Sequence, residues 1–96
     1  MGALDGKVAI VTGTTAASIG RACAMGFAMA GAKVVVTGRT VAGGEETETL
    51  IRDAGGDALF VRQDVTVEED WERVIKTTVD TYGRLDILHN NAGVVA

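Results

Sequence analysis

The sequence has no proline and only one cysteine, Cys23. A lone cysteine cannot close an internal disulfide, so the expected compartment is reducing, the cytoplasm. With proline absent, punctuation falls to glycine, and the thirteen glycines sit mostly at the ends of expected elements. Basic charge is also in deficit. Nine Lys and Arg stand against thirteen Asp and Glu, a net charge of −4. That balance argues against a nucleic-acid partner, whose phosphate backbone selects basic surfaces. It leaves a dinucleotide open, because local backbone dipoles can hold one whatever the global charge. No apolar run approaches the ~18 residues of a membrane span, so no membrane association is expected. No secretory pattern is expected either: Asp5 and Lys7 interrupt the start of the chain, and 8–11 is too short an apolar run. Histidine occurs once. His89 has no cysteine, histidine or acid at ligand spacing, so it reads as structural and no metal site is expected.

What is present is a chain of 96 residues, 47% hydrophobic and 23% charged, enough for one small domain or part of a larger one. Its organising stretch is 8–20, V-A-I-V-T-G-T-T-A-A-S-I-G. An apolar run ends in a glycine turn and a helix begins at once. This is the arrangement of a phosphate-binding first βα turn: the turn lets backbone approach a ligand, and the helix N-terminus offers unpaired N–H groups to a pyrophosphate. Gly13, Ser18, Ile19 and Gly20 are therefore candidates for a dinucleotide site, a ligand-free βα turn being the plainer alternative.

In chain order, 7–12 reads as a strand buried on both faces. A helix follows over 19–30, with Ser18 as N-cap and Gly31 as stop. Its inward face carries Ile19, Cys23, Phe27 and Ala30, while Ala22, Ala24, Gly26 and Ala28 keep it slim, and Gly20 permits the tightest approach to the strand. A second strand spans 33–37 and closes at Gly38-Arg39. A weaker helix over 43–54 has Leu50, Ile51 and Ala54 as its stripe, and Gly55-Gly56 ends it. Glu45, Glu46 and Glu48 read as its solvated, dipole-favoured N-terminus. A third strand covers 58–61. Thr66 and Glu69 form a T-x-x-E capping box before a helix carrying Trp71, Val74, Ile75, Val79 and Tyr82, stopped by Gly83. A fourth strand covers 85–90.

The pattern β-α-β-α-β-α-β implies parallel strands joined by crossovers and predicts the order 3-2-1-4. The fold class is α/β: a Rossmann-like, doubly wound parallel sheet, incomplete at one edge. Leu85, Ile87 and Leu88 on the fourth strand would lie uncovered, and an apolar open edge invites pairing. The expectation is that 1–96 is the N-terminal part of a single NAD(P)-binding domain. At the exit of the second strand, where an NAD-preferring site keeps an acid for the ribose 2′-OH, the sequence has Gly38-Arg39. With no carboxylate to repel a 2′-phosphate and a guanidinium to bind it, NADP(H) is favoured and NAD(H) stays possible; a solvated surface arginine is the alternative.

These residues resemble the short-chain dehydrogenase/reductase family. L-D-G-K-V-A-I-V-T-G over 4–13 is similar to that family's first strand, 12–20 to its T-G-x-x-x-G-I-G cofactor loop, Asp64-Val65 to the Asp that meets adenine, and Asn90-Asn91-Ala92-Gly93 to its N-N-A-G motif. A lone glycine loop is weak evidence, but the loop followed by N-N-A-G is specific. The resemblance implies hydride transfer between a nicotinamide and a carbonyl or alcohol substrate. It also implies cofactor binding by Gly13, Thr15, Ser18, Ile19, Gly20, Arg39, Asp64, Val65, Asn91, Ala92 and Gly93, and a homo-oligomer when intact. Asp64 has the alternative of an Asx turn, and the N-N-A-G residues that of a polar strand-end turn. Two departures stand out. Four residues, Thr14 to Ala17, precede Ser18, and the middle glycine is missing, which also resembles the enoyl reductase branch. The family's Tyr-x-x-x-Lys pair has no counterpart: four residues after the sole tyrosine, Tyr82, stands Asp86. No catalytic residue is assigned, and the chain alone is expected to be inactive. The rival reading is a nucleotide-binding or dimerising half-domain. A response-regulator-like domain is a weaker one, since the first strand ends in Thr12-Gly13 rather than an acidic pair.

Overall fold

Among the described residues four parallel strands and three helices alternate: β1 (Val8–Val11), α1 (Ile19–Met29), β2 (Lys33–Gly38), α2 (Val41–Asp53), β3 (Asp57–Arg62), α3 (Glu68–Tyr82) and β4 (Ile87–His89). The structure, a computed structural model, describes residues 2–13 and 19–90, the side chain of Ile19 excepted. The expected Ser18 cap lies outside them. The sheet order is β3-β2-β1-β4, as the alternation predicts. Registers are in parallel throughout, with Val11 beside both Val36 and His89, and Gly38 beside Arg62. Among the described residues no helix is long and apolar enough to cross a membrane.

The apolar run of β1 is buried at every position, because helices cover both faces of the sheet. Val11, Val34, Val36 and Ala58 point to the side of α1 and α2, where Ala24, Ala28 and Ile51 meet them. Ile10 and Val35 point the other way, onto Val74 of α3. Complete burial of a side chain the size of Ile51 contributes about 2–3 kcal/mol.

The helices differ from expectation in which line they bury. In α1 the buried line is Gly20, Ala24 and Ala28, with Cys23 and Phe27 half-buried beside it. The helix lies so close to the sheet that only small residues fit beneath it. In α2 the buried line is Gly44, Thr47 and Ile51, while Leu50 is 40% exposed and Ala54 is exposed too. A Cβ on Gly44 would stand 1.9 Å from the Phe60 ring, so a residue that looks like a helix breaker is the one the packing requires. The α3 line runs through Val74 and Thr78, with Trp71 and Tyr82 half-buried. Thr78 tolerates burial because its hydroxyl donates to the Val74 carbonyl at 2.7 Å. Ile75 and Val79 each sit one residue, about 100°, round the helix from that line, and are 40% and 43% exposed.

The capping box does not form. α3 begins after Val67, which gives no side-chain cap. Thr66 donates its N–H (2.9 Å) and its hydroxyl (2.6 Å) to Asp64 Oδ1, so an Asx turn takes the group that a cap would have used. Asp70 reaches back instead and accepts the Asp64 N–H at 2.8 Å. The acidic group of α2 is also misplaced by expectation. The helix starts at Val41, its first turn has no acid, and Glu48 accepts the Phe60 N–H while pairing with Arg52.

The lead-in to β1 is structural. The Leu4 N–H donates to the Ala30 carbonyl at the end of α1 (2.8 Å), and Lys33 N–H donates to Lys7 (2.9 Å). At the far edge the Val8 N–H donates to Asp86 Oδ2 at 2.9 Å, which ties the start of β1 to the approach of β4. Asp86 also pairs with Arg84 at 2.8 Å; these two contacts, Arg84 first, hold its carboxyl below the ordinary carboxylate range. Leu88 on β4 is 53% exposed at the sheet edge.

Candidate functional site

In a parallel sheet all strands exit on one side, and that is where a cleft of about 500 Å³ opens. Gly13 lines it from β1. Gly38, Arg39 and Thr40 line it from β2, and Arg62, Gln63 and Val65 from β3. Of the expected cofactor residues, the fold brings Gly13, Arg39 and Val65 to this one cleft. Thr15, Ser18, Asn91, Ala92 and Gly93, and the side chain of Ile19, lie outside the described residues.

The β1 exit is built for close approach. Gly13 has φ +70°, the left-handed region that glycine enters without steric cost. A Cβ on Gly20 would stand 2.2 Å from the Gly13 carbonyl oxygen and 3.2 Å from that of Thr12. The first turn of α1 therefore rests directly on the backbone leaving β1. Next to it the Thr12 hydroxyl donates to Asn90 Oδ1 at 2.9 Å, and the Thr12 N–H donates to the His89 carbonyl at 3.0 Å. Asn90, the first residue of N-N-A-G, thus fastens the ends of β1 and β4 together. His89 packs edge-on against Phe27, ring centroids 5.6 Å apart, in keeping with a structural histidine.

The β2 and β3 exits carry the charge. The chain has six arginines. Arg21, Arg52, Arg73 and Arg84 each pair with a carboxylate. Arg39 and Arg62 make no ion pair among the described residues, and both line the cleft. Both also act on Asp64, whose carboxyl lies below its ordinary range chiefly through the Thr66 hydrogen bonds and further through these two guanidinium charges. Asp64 forms the Asx turn rather than lining the cleft, and its neighbour Val65 supplies the wall. Beside them Gln63 is 1% exposed, and neither its amide nitrogen nor its amide oxygen has a hydrogen-bond partner among the described residues. Such a buried, unsatisfied carboxamide is rare in native proteins.

Sequence reasoning missed Arg62 and Gln63. The available signal was positional: the polar pair directly follows the apolar run of β3, and every strand exit in a parallel sheet is a candidate. It also missed Arg21, on α1, whose side chain is 14% exposed. Arg21 donates to Thr47 Oγ1 (2.8 Å) and to the Gly43 carbonyl (3.3 Å) and pairs with Glu46 (2.7 Å), locking α1 to the first turns of α2. Tyr82 is far from the cleft. Its hydroxyl donates to Asp57 at the opposite end of β3, and burial first, then that contact, pushes its pKa up to about 12.

The chain is similar to known oxidoreductases over nearly its whole length. It is 47% identical to an uncharacterised oxidoreductase of Thermotoga maritima over 91 residues, 95% of this chain and 35% of the relative. A short chain dehydrogenase from Mycobacterium smegmatis superposes with a TM-score of 0.93 at 37% identity, covering all of this chain and 40% of that one. A metagenomic short-chain oxidoreductase solved in complex with NADP superposes at 0.87 and 37% identity, over 95% of this chain and 41% of its own. The chain spans about a third of the length of the curated relatives it matches. The short chain dehydrogenase family model matches residues 7–96. With that match, the strand order and the glycine-backed β1 exit, and with N-N-A-G in its sequence, the chain belongs to the short-chain dehydrogenase/reductase family.

Proposed function

We propose that residues 1–96 form the NADP(H)-holding, N-terminal part of a Rossmann domain in an oxidoreductase acting on a carbonyl or alcohol. The observation that carries this is the β2 exit: Arg39, with no ion pair among the described residues, beside a glycine in a cleft open at the ends of three parallel strands. The residues present fit the cofactor. Gly20 lets α1 meet the Gly13 backbone, leaving a small-residue cradle where a pyrophosphate is held in such folds. Gly38 offers no carboxylate against a 2′-phosphate, and Arg39 offers a planar fork of donors for it. Val65 walls the adenine side, Asp64 stands behind it, and Thr15, Ser18, Ile19, Asn91, Ala92 and Gly93 complete the contact set. The solved relative in complex with NADP supports this choice.

When bound, the nicotinamide would give or take the hydride. This chain's own residues bind and orient the dinucleotide, and none among the described residues is assigned the substrate proton. Tyr82 has no lysine partner four residues on and faces Asp57, away from the cleft. Arg39→Ala is expected to lower the ratio of NADPH to NADH affinity about tenfold, read by titrating each dinucleotide into the protein. An unmoved ratio removes Arg39 as the selector.

A second reading, a dimerising half-domain, is favoured by Leu88, 53% exposed on the edge strand β4. Light scattering coupled to size exclusion decides it: a discrete dimer supports this reading, and a monomer that binds NADPH removes it.

A further inference from the structure

We propose that Arg62 is a second anchor for the ribose 2′-phosphate, closing on it from β3 while Arg39 closes from β2. This rests on the NADP(H) reading above.

Arg62 stands directly across the sheet from Gly38 in the β2–β3 register. The pairing is fixed at its last rung, where the Gln63 N–H donates to the Gly38 carbonyl at 2.9 Å. Register partners in parallel strands project to the same face. The side of the sheet on which Arg62 emerges is therefore the side on which position 38 carries no side chain. Both arginines border the cleft, and both lack a carboxylate partner among the described residues. The other guanidinium nearby, that of Arg73, is turned away: it donates to the Arg62 main-chain carbonyl and pairs with Asp70. That contact holds the Arg62 backbone and leaves its side chain as the cation on this wall. The adjacent carboxylate, Asp64, is occupied through Oδ1 by the Thr66 N–H and hydroxyl. Two guanidinium forks converging on a cleft can grip more than one edge of a phosphate, which a single arginine cannot.

The position of Gly38 gives this a second consequence. An aspartate there would project beside Arg62, on the same face, and neutralise it. The one change that adds an acid for a ribose 2′-OH would thus also disarm the second anchor, so both effects act in one direction on cofactor choice.

The test uses two probes that differ only in the 2′-phosphate, adenosine 2′,5′-bisphosphate and adenosine 5′-monophosphate, titrated calorimetrically into the 96-residue protein. Arg62→Ala is expected to weaken the bisphosphate about tenfold and to leave the monophosphate within twofold. Arg62→Lys, which keeps the charge and loses the fork, is expected to fall between. Gly38→Asp is expected to match or exceed Arg62→Ala, and the Arg39→Ala, Arg62→Ala double variant to bind both probes alike. Arg62 is exposed, so Arg62→Ala should unfold at the wild-type temperature. Equal weakening of both probes by Arg62→Ala overturns the proposal. So does a preference lost in Arg39→Ala but kept in Arg62→Ala, while the NADP(H) reading survives. A wild-type protein that treats the two probes alike overturns both.

Discussion

Gly20 and Gly26 lie on the same helix and give opposite predictions for the same substitution. At Gly20 an added methyl would stand 2.2 Å from the Gly13 carbonyl oxygen, 2.8 Å from its carbon and 3.2 Å from the Thr12 oxygen, where ordinary contact begins near 3.4 Å. These atoms are backbone at a strand exit and have no rotamer to give. The start of α1 or the end of β1 must shift by roughly 1 Å, and overpacking of this kind costs about 1–3 kcal/mol. Alanine recovers only part of its ~1 kcal/mol helix preference here, because Gly20 is in the first turn. At Gly26 an added methyl meets nothing within 4 Å, and the position is exposed in the helix interior. There the preference acts alone, stabilising by about 0.5–1 kcal/mol. Thermal unfolding separates the two. Gly26→Ala should raise the midpoint by about 3–6 °C, and Gly20→Ala should lower it by at least as much, given ~4–8 °C per kcal/mol for a domain of this size. NADPH titration adds a second reading, because Gly13, the residue displaced by Gly20→Ala, lines the cleft and Gly26 does not. Midpoints that move in the same direction refute the close-approach argument.

Two further predictions concern polar groups in the packed interior, one half-buried and one buried. Tyr82 is the sole tyrosine, so the absorbance of its phenolate reports it directly. It should titrate near pH 12 in the folded protein and near 10 when unfolded. The folded state then holds the proton more tightly, so this contribution to stability is whole below pH 10 and is lost as pH rises from 10 to 12. Asp57→Asn should bring the midpoint part of the way down, since burial is the larger cause; a midpoint at 10 in the wild type refutes the packing of this ring. Gln63→Met removes a buried carboxamide with no partner and keeps its volume, so it should raise stability by about 1 kcal/mol in urea unfolding. A loss of stability would mean that the amide is satisfied in solution.

The topology was legible because it rests on contrasts the sequence states strongly. The apolar runs at Val8 and Val34, and stops such as Gly31 and Gly83, both at positive φ, mark where elements begin and end. The helix faces were less legible, because what decides them is a neighbour far along the chain. Nothing local to Gly44 announces the Phe60 ring that excludes a side chain there, and nothing local to Thr47 announces Arg21. The Thr66 cap failed for a local reason: two acceptors competed for one residue, and Asp64, two residues back, closes a shorter ring than the helix can offer. At the cleft, the place of Arg39 was legible because it directly follows the end of an apolar strand. The place of Arg62 was not, because it depends on register, and a slip of one residue would send it to the other face.

The same dependence on pairing explains how an acidic chain can present a cationic cleft. Net charge is −4, yet the charges that matter to a bound phosphate are those within a Debye length, ~8 Å in physiological salt. Several acids are already committed to partners: Glu48 to the Phe60 N–H and Arg52, Asp70 to the Asp64 N–H and Arg73, Asp86 to the Val8 N–H and Arg84. These pairings remove cations and anions together and leave Arg39 and Arg62 at the strand exits. Altering a remote surface acid should then change phosphate affinity little, whereas a single carboxylate at position 38 should change it strongly. On the NADP(H) reading, cofactor choice would follow the pairing pattern at two adjacent strand ends rather than the charge of the chain.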